Sequence, residues 1–305
     1  MSKIALIGEC MVEMCVQKNL YKQKFGGDTF NCSVYLKRSF KKAEVEYITV
    51  LGEDNLSKKM LDFFHKEKIR TTYIDKVKDK TPGLYLIDRD NKKRNISYWR
   101  EDTSAKELFL TRSLNRIGNE LMDFDLIYFS AITLAIMSEE GRNNLFRIIK
   151  KARAAGVKIA FDSKYRADLF PSSDVARKIY NQAIHYCDIF FSSISDEKEL
   201  WGEFDTYSII QKAKEAGCNE IILKATNEEI VYCFEDFTKV LKTKRFKKVV
   251  DKTSAGDCFN GAYLASRLKG KDIEKSIKKA KKLVCKVVKY NGAIIAKEKK
   301  EVCYV

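Results

Sequence analysis

The order of apolar segments predicts an α/β fold: a central, mostly parallel sheet with helices on both faces and a small β-sheet lid. Three observations carry this. Short apolar runs alternate with amphipathic stretches along most of the chain. Between Thr71 and Arg100 the alternation gives way to short strand-like pieces. Polar and charged residues gather where the apolar runs end, which is where ligands bind in sheets of this class.

Each element has its own reason. Residues 3–8 form an apolar run ending in Gly8, a buried first strand. Gly26-Gly27-Asp28-Thr29-Phe30-Asn31 leads into a helical pattern through Val34, Tyr35, Leu36 and Phe40. Val45 to Val50 reads as a second strand, and a helix from about Ser57 to Lys68 carries Met60, Leu61, Phe63 and Phe64 on its apolar face. Tyr73–Val77, Gly83–Asp88 and Arg94–Arg100 are strand-like, with a polar turn at 89–93, and such an insert is expected to cover a site as a lid. Alternation resumes with strands at Leu126–Ser130, Lys158–Asp162, Ile189–Ser192, Glu220–Lys224 and Ile230–Phe234. Helices are expected near 139–155, 173–184, 206–216, 256–268 and 272–289. One domain over 1–305 is expected, its lid formed by insertions at about 10–30 and 71–104.

Composition narrows the function classes. With 45% hydrophobic and 33% charged residues the chain reads as a soluble globular protein, and 2 prolines with 14 glycines argue against long linkers. The N-terminal apolar run is too short for a signal peptide, and no window reaches a membrane-spanning length. The 9 cysteines form no CxxC pair and only His65 and His185 are available, which argues against a metal cage of side chains. Small buried thiols in a reducing cytoplasm fit better. A net charge of +16 invites a nucleic-acid reading, but the lysines are dispersed, as in Lys271 to Lys289, and read as a solvated surface. The expectation is therefore no nucleic acid and no membrane.

The richest stretch runs from Val249 to Ala265: a strand end, a turn of small residues, then a helix. Ala255 and Gly256 leave the first helical N–H groups open, and such a helix start attracts anions. Asp257 in that first turn can serve as a helix partner, or it can accept a proton from a hydroxyl attacking a phosphate. Gly8-Glu9, Ser130, Asp162 to Arg166, Ser192-Ser193 and Lys224 stand at the other strand ends.

Gly26 to Asn31, Asp162 to Arg166 and Asp251 to Asp257, taken together, resemble the PfkB (ribokinase-like) carbohydrate kinase family, over Ile4 to Ile295. Gly8-Glu9-Cys10-Met11, Pro82-Gly83-Leu84-Tyr85, Tyr98-Trp99-Arg100, Leu200-Trp201-Gly202 and Gly292-Ala293-Ile294-Ile295 look like its bacterial 2-keto-3-deoxygluconate kinase branch. The resemblance implies a three-layer α/β/α fold and ATP-dependent phosphorylation of a sugar acid at its terminal hydroxyl, with Mg²⁺. It implies Asp257 as base and Ser254, Ala255 and Gly256 as the anion hole. Gly27, Asp28, Asn31, Tyr85, Tyr98, Arg100 and Arg166 would contact the substrate. Arg100 and Arg166 also fit by chemistry, because a guanidinium fork suits a carboxylate. Lys164, Ser193, Lys224, Thr226 and Asn291 would lie on the nucleotide side. The metal would ride on ATP without direct protein ligands, reached through water from Asp162 or Asp196.

The chain departs from the family pattern at Lys252 for Thr, Ser254 for Gly or Ala, and Lys164 for Asn. Ser193-Ile194-Ser195-Asp196 stands for N-x-x-E, and Lys224-Ala225-Thr226-Asn227 for K-x-G. Most departures fall on the nucleotide and metal side, so the substrate class is better supported than ATP handling. A kinase for a neutral sugar (fructose or ribose type) and a catalytically weak sugar-acid binding protein are the alternatives. Exposed lid edges make a homo-oligomer the expected assembly.

Overall fold

The computed structural model of the chain describes residues 2–17, 20–90, 93–111, 113–202, 205–226, 228–246 and 248–297. The chain begins with β1 (Lys3–Ile7), β2 (Met11–Gln17), β3 (Leu20–Gly26), α1 (Asp28–Ser39), β4 (Glu44–Ile48), β5 (Val50–Leu51) and α2 (Asn55–Lys66). β6 (Asp75–Lys76), β7 (Leu84–Asp90), β8 (Lys93–Trp99) and α3 (Leu114–Glu120) follow. The middle holds β9 (Leu126–Ser130), α4 (Ala131–Ile136), α5 (Glu139–Ala154), β10 (Lys158–Asp162), α6 (Ser173–His185), β11 (Ile189–Ser193) and α7 (Ile194–Trp201). The last part is α8 (Thr206–Glu215), β12 (Glu220–Lys224), β13 (Glu229–Phe234), β14 (Phe237–Lys242), α9 (Ala255–Arg267) and α10 (Ile273–Val287).

Eight strands form the central sheet in the order β14-β13-β12-β11-β10-β9-β1-β4. The six from β12 to β4 run parallel, and β13 and β14 add an antiparallel edge. Parallel strands are buried on both faces, which is why they read as continuous apolar runs. Along β1 the alternation is visible: Ile4 and Leu6 enter one apolar core, Ala5 and Ile7 the other. These two cores, with α1, α2, α9 and α10 on one side and α5, α6 and α8 on the other, make three layers.

α9 is buried along nearly its whole length and packs between α1 and α10. Gly261 permits this, because a Cβ there would stand 2.4 Å from the carbonyl oxygen of Cys32 on α1. On α10 the apolar stripe Ile273, Ile277, Ala280, Val284 and Val287 faces inward.

A second sheet, of order β3-β2-β7-β8, stands beside the core. β2 and β3 pair antiparallel, β2 and β7 parallel, β7 and β8 antiparallel. The sequence reading named the 71–100 strands but did not resolve 10–26 into the pair β2 and β3. Tyr73–Val77 shrinks to the two-residue β6, paired only with β5. α3, α4, α7 and β14 were unexpected. β14 is an edge strand with only Leu241 buried, so its pattern lacks a clear inward face. Of the expected 89–93 turn, Asn91 and Lys92 lie outside the described residues, as does Asn227.

Candidate active site

The site forms where two helices begin. Among the described helices of eight residues or more, α2, α5, α6, α7, α8 and α10 start on a side chain that accepts a first-turn N–H: Asp54, Ser138, Ser172, Ser193, Asp205 and Asp272. α1 and α9 do not. α1 starts on Gly27, which has no side chain to offer, and a Cβ there would lie 2.1 Å from the carbonyl oxygen of Glu9. α9 starts on Ser254, whose hydroxyl donates instead to the carbonyl oxygen of Ala293. Both helices therefore present first-turn N–H groups that no side chain has capped.

Asp257, in the first turn of α9, is 1% exposed. Its Oδ2 accepts 2.9 Å from Nδ2 of Asn31 on α1, and its Oδ1 is ion-paired with the ammonium of Lys164. Burial raises the Asp257 carboxyl above the ordinary aspartate range, with Lys164 working against the rise and Asp28 adding to it. Burial opposes the charge on Lys164, but Asp257, Asp28 and Asp162 outweigh it and push the lysine up. The two directions describe one ionic pair: the lysine stays protonated, and the carboxylate takes a proton more readily than a surface aspartate. Two buried atoms beside the pair, Oδ1 of Asn31 and Oδ2 of Asp28, have no hydrogen-bond partner among the described residues.

Opposite charges continue along the strand ends. Asp162 closes β10, accepts from the Tyr128 hydroxyl at 3.3 Å and lies 3.7 Å from Nζ of Lys224 at the end of β12. Lys224 Nζ hangs over the start of α9, 3.8 Å from where a Cβ on Gly256 would stand. Arg166 lies 3.5 Å from Asp196, whose carboxyl burial raises and Arg166 lowers. Ser193 caps α7 through the Asp196 N–H at 3.2 Å. The Thr226 hydroxyl accepts from the N–H groups of Glu228 and Glu229, so it shapes the turn between β12 and β13. The carbonyl oxygen of Asn291 accepts from Lys24 at 3.0 Å.

On the smaller sheet, Tyr85 donates at 2.6 Å to Glu13, and its ring lies 6.0 Å from that of Tyr98. Arg100 is ion-paired with Glu9 through Nη2, while its buried Nε has no hydrogen-bond partner among the described residues. Thr103 donates to the other oxygen of Glu9 at 2.9 Å.

The structure thus brings Asp28, Asn31, Lys164, Asp162, Lys224, Gly256 and Asp257 together. It does not bring Arg100 and Arg166 to one another's partners, since each is already engaged by a carboxylate of the chain. Glu9 and Glu13 are the residues that the sequence missed as partners. Glu13 offered a signal: a carboxylate inside the apolar run Met11 to Val16, fully buried in the fold. A shallow groove of about 510 Å³ that includes Tyr232, Phe237, Arg267 and Lys278 shares none of these residues. Among the described residues no cluster of three or more His, Cys, Asp or Glu is arranged to hold a metal ion directly.

The family of carbohydrate kinases described as pfkB matches residues 1–300. The chain belongs to that family. It is 37% identical over 302 residues to the 2-dehydro-3-deoxygluconokinase of Escherichia coli, covering 97% of this chain and 98% of that protein. The enzyme of the same name from Dickeya dadantii is 36% identical over 301 residues, 97% of each chain. An Escherichia coli structure solved with ATP and Mg²⁺ superposes with a TM-score of 0.84 at 20% identity, covering 96% of this chain and 94% of that one. The α/β architecture is ribokinase-like, with the three layers and the smaller sheet described above.

Proposed function

We propose that this pfkB kinase transfers the terminal phosphoryl group of ATP to the terminal hydroxyl of 2-keto-3-deoxygluconate, giving 2-keto-3-deoxy-6-phosphogluconate. Relatives of 33–37% identity over 97% of the chain, each named 2-dehydro-3-deoxygluconokinase, support the substrate. The observation that carries the chemistry is the buried Asp257 at an uncapped helix start, held by Asn31 and Lys164.

The residues present fit a phosphate. Two uncapped helix starts offer N–H donors to its oxygens, while the orphaned buried oxygens of Asp28 and Asn31 are acceptors that suit a substrate hydroxyl instead. Ser254, Ala255 and Gly256 form the anion hole, and Lys164, Ser193, Lys224 and Asn291 border the nucleotide, with Thr226 at the edge of that side in the β12–β13 turn. When bound, Mg²⁺ supplies charge neutralisation on the phosphate oxygens; Asp162 and Asp196 would reach it through water. Asp257 accepts the proton of the attacking hydroxyl, and its carboxyl, raised by burial, takes that proton more readily than an ordinary aspartate would. Asn31 fixes the orientation of the carboxylate. The N–H groups of α9 stabilise charge that develops on the transferring group.

Gly27, Asp28, Asn31, Tyr85, Tyr98, Arg100 and Arg166 line the sugar-acid side. The smaller sheet acts as the lid, closing Tyr85 and Tyr98 over the substrate. Leu20 and Tyr21 on its edge strand β3 are 75% and 65% exposed, which supports pairing of two copies through that edge. Among the described residues no helix is long and apolar enough to cross a membrane, and all eight described cysteines are free. ATP supply and those thiols support a cytoplasmic setting.

A neutral-sugar kinase has one argument, the engagement of Arg100 by Glu9 and of Arg166 by Asp196. A coupled ADP-release screen over sugar acids and neutral sugars decides. The expected result is turnover with 2-keto-3-deoxygluconate at a kcat/KM at least tenfold above fructose or ribose; the reverse preference overturns the substrate. Binding of the sugar acid with no ADP release would leave a binding protein.

A further inference from the structure

The lysine at 164 stands on the proposed base itself. Its ammonium is paired with Oδ1 of Asp257, its side chain is 15% exposed, and its backbone φ of 21° lies in the left-handed region that most side chains avoid. A costly conformation kept at a site is explained by what the side chain does there.

Charge shows what that is. Asp28, Asp162 and Asp257 are 9%, 2% and 1% exposed and stand within electrostatic reach of Lys164, and Lys224 is the other cation beside Asp162. Buried carboxylates without cations are strongly unfavourable, and a nucleotide brings further negative charge to the same place. An ammonium has three N–H donors on a flexible stem, so it can keep one on Asp257 and turn another to a phosphate oxygen.

We propose that Lys164 is a counter-cation shared between Asp257 and the transferring phosphoryl group. This rests on the kinase reading above. Before the nucleotide arrives, the ammonium keeps Asp257 ionised and ready to accept. In the transfer, the substrate oxygen forms its bond to the terminal phosphorus, and its proton passes to Asp257. The bond from that phosphorus to the bridging oxygen breaks, its electron pair leaving with ADP. Lys164 keeps its protons throughout and turns toward the charge on the phosphoryl oxygens.

Lys164→Asn is the primary test, because asparagine tolerates the left-handed backbone while it removes the ammonium and its long stem. Two readouts are taken. Calorimetric affinity for Mg-ATP without sugar is expected to fall about tenfold or more. With sugar acid, kcat is expected to fall about 10–100-fold while the KM for the sugar stays within about twofold. Methylammonium is expected to restore part of the turnover of Lys164→Ala, which a purely structural lysine would not allow. Mg-ATP affinity within about twofold of wild type, or an unchanged or higher kcat, overturns the proposal. If the wild type does not phosphorylate the sugar acid, the kinase substrate is wrong, and the Mg-ATP arm still decides the role of Lys164.

Discussion

The two halves of the site are built in opposite ways. At the phosphoryl centre, groups converge from the starts of α1 and α9 and the ends of β10 and β12, all anchored in the packed core. Donor and acceptor atoms are left over there: uncapped N–H groups, Oδ1 of Asn31 and Oδ2 of Asp28. On the smaller sheet, Tyr85 is engaged by Glu13 of the neighbouring strand β2, and the Nη2 of Arg100, just after β8, is engaged by Glu9. The centre is open to a ligand, whereas the sheet side must share its partners with one. Chemistry therefore depends on the first half and substrate affinity on the second, and variants can break that division.

The largest effect is expected at the centre. Asp257→Asn should lower kcat by roughly 10²–10⁴ with little change in either KM. A mutant that keeps near-normal turnover in the ADP-release assay removes Asp257 from the role of base. The pH profile follows from burial. The base works ionised, so activity is present at high pH and lost as pH falls through the raised carboxyl value, above the ordinary aspartate range. Stability runs the other way. The folded carboxyl holds its proton more readily than the unfolded one, so its contribution is full below the unfolded value and is lost as pH rises through the folded one. Acid-limb kinetics and denaturation midpoints across that range measure the two separately.

On the sheet side, Glu9→Gln removes the charge that holds Arg100 while keeping an acceptor for Thr103. A released Arg100 no longer presents its unpartnered Nε in a fixed place. The expected outcome is a KM for the sugar acid raised about tenfold, the loss of one charge-assisted bond, with kcat nearly unchanged. A fall in kcat with an unchanged KM would falsify the division between the two halves.

The scaffold between them is tested at Gly261. Its replacement by Ala puts a methyl group 2.4 Å from the carbonyl oxygen of Cys32 and pushes α1 from α9, so about 1–3 kcal/mol of stability should be lost. Asn31 and Asp257 ride on those two helices, and turnover should fall with the stability rather than independently of it.

What the sequence revealed follows the same line. The parallel strands were readable because burial on both faces makes them continuous apolar runs, and Asp257 was readable because small residues precede it at a helix start. α7 was missed although Ser193 and Asp196 stand in the spacing of a helix cap, because the polar run after them hides the apolar positions. Glu9 and Glu13 were not readable as partners. Their contacts join residues 91 and 72 positions apart, and no local pattern announces such a pair. The carboxylates that meet Arg100 and Arg166 were hidden for the same reason: the chemistry of the guanidinium forks was visible, but Glu9 and Asp196 as their partners were not.

The smallest effect is expected at Thr226, and it sharpens where the nucleotide side ends. Its hydroxyl accepts from two successive N–H groups, those of Glu228 and Glu229, at 3.1 and 3.0 Å. A hydroxyl committed to a turn has little left for a nucleotide, whereas Lys224, two residues earlier, stands over the start of α9. Thr226→Val should cost about 0.5–1.5 kcal/mol through the lost turn bonds and change the KM for ATP by less than about threefold. Lys224→Ala should raise that KM by about tenfold or more, because a charge-assisted partner is removed. If the valine variant proves as damaging to ATP binding as the alanine variant, the β12–β13 turn belongs to the nucleotide site, and the open half extends past the strand ends.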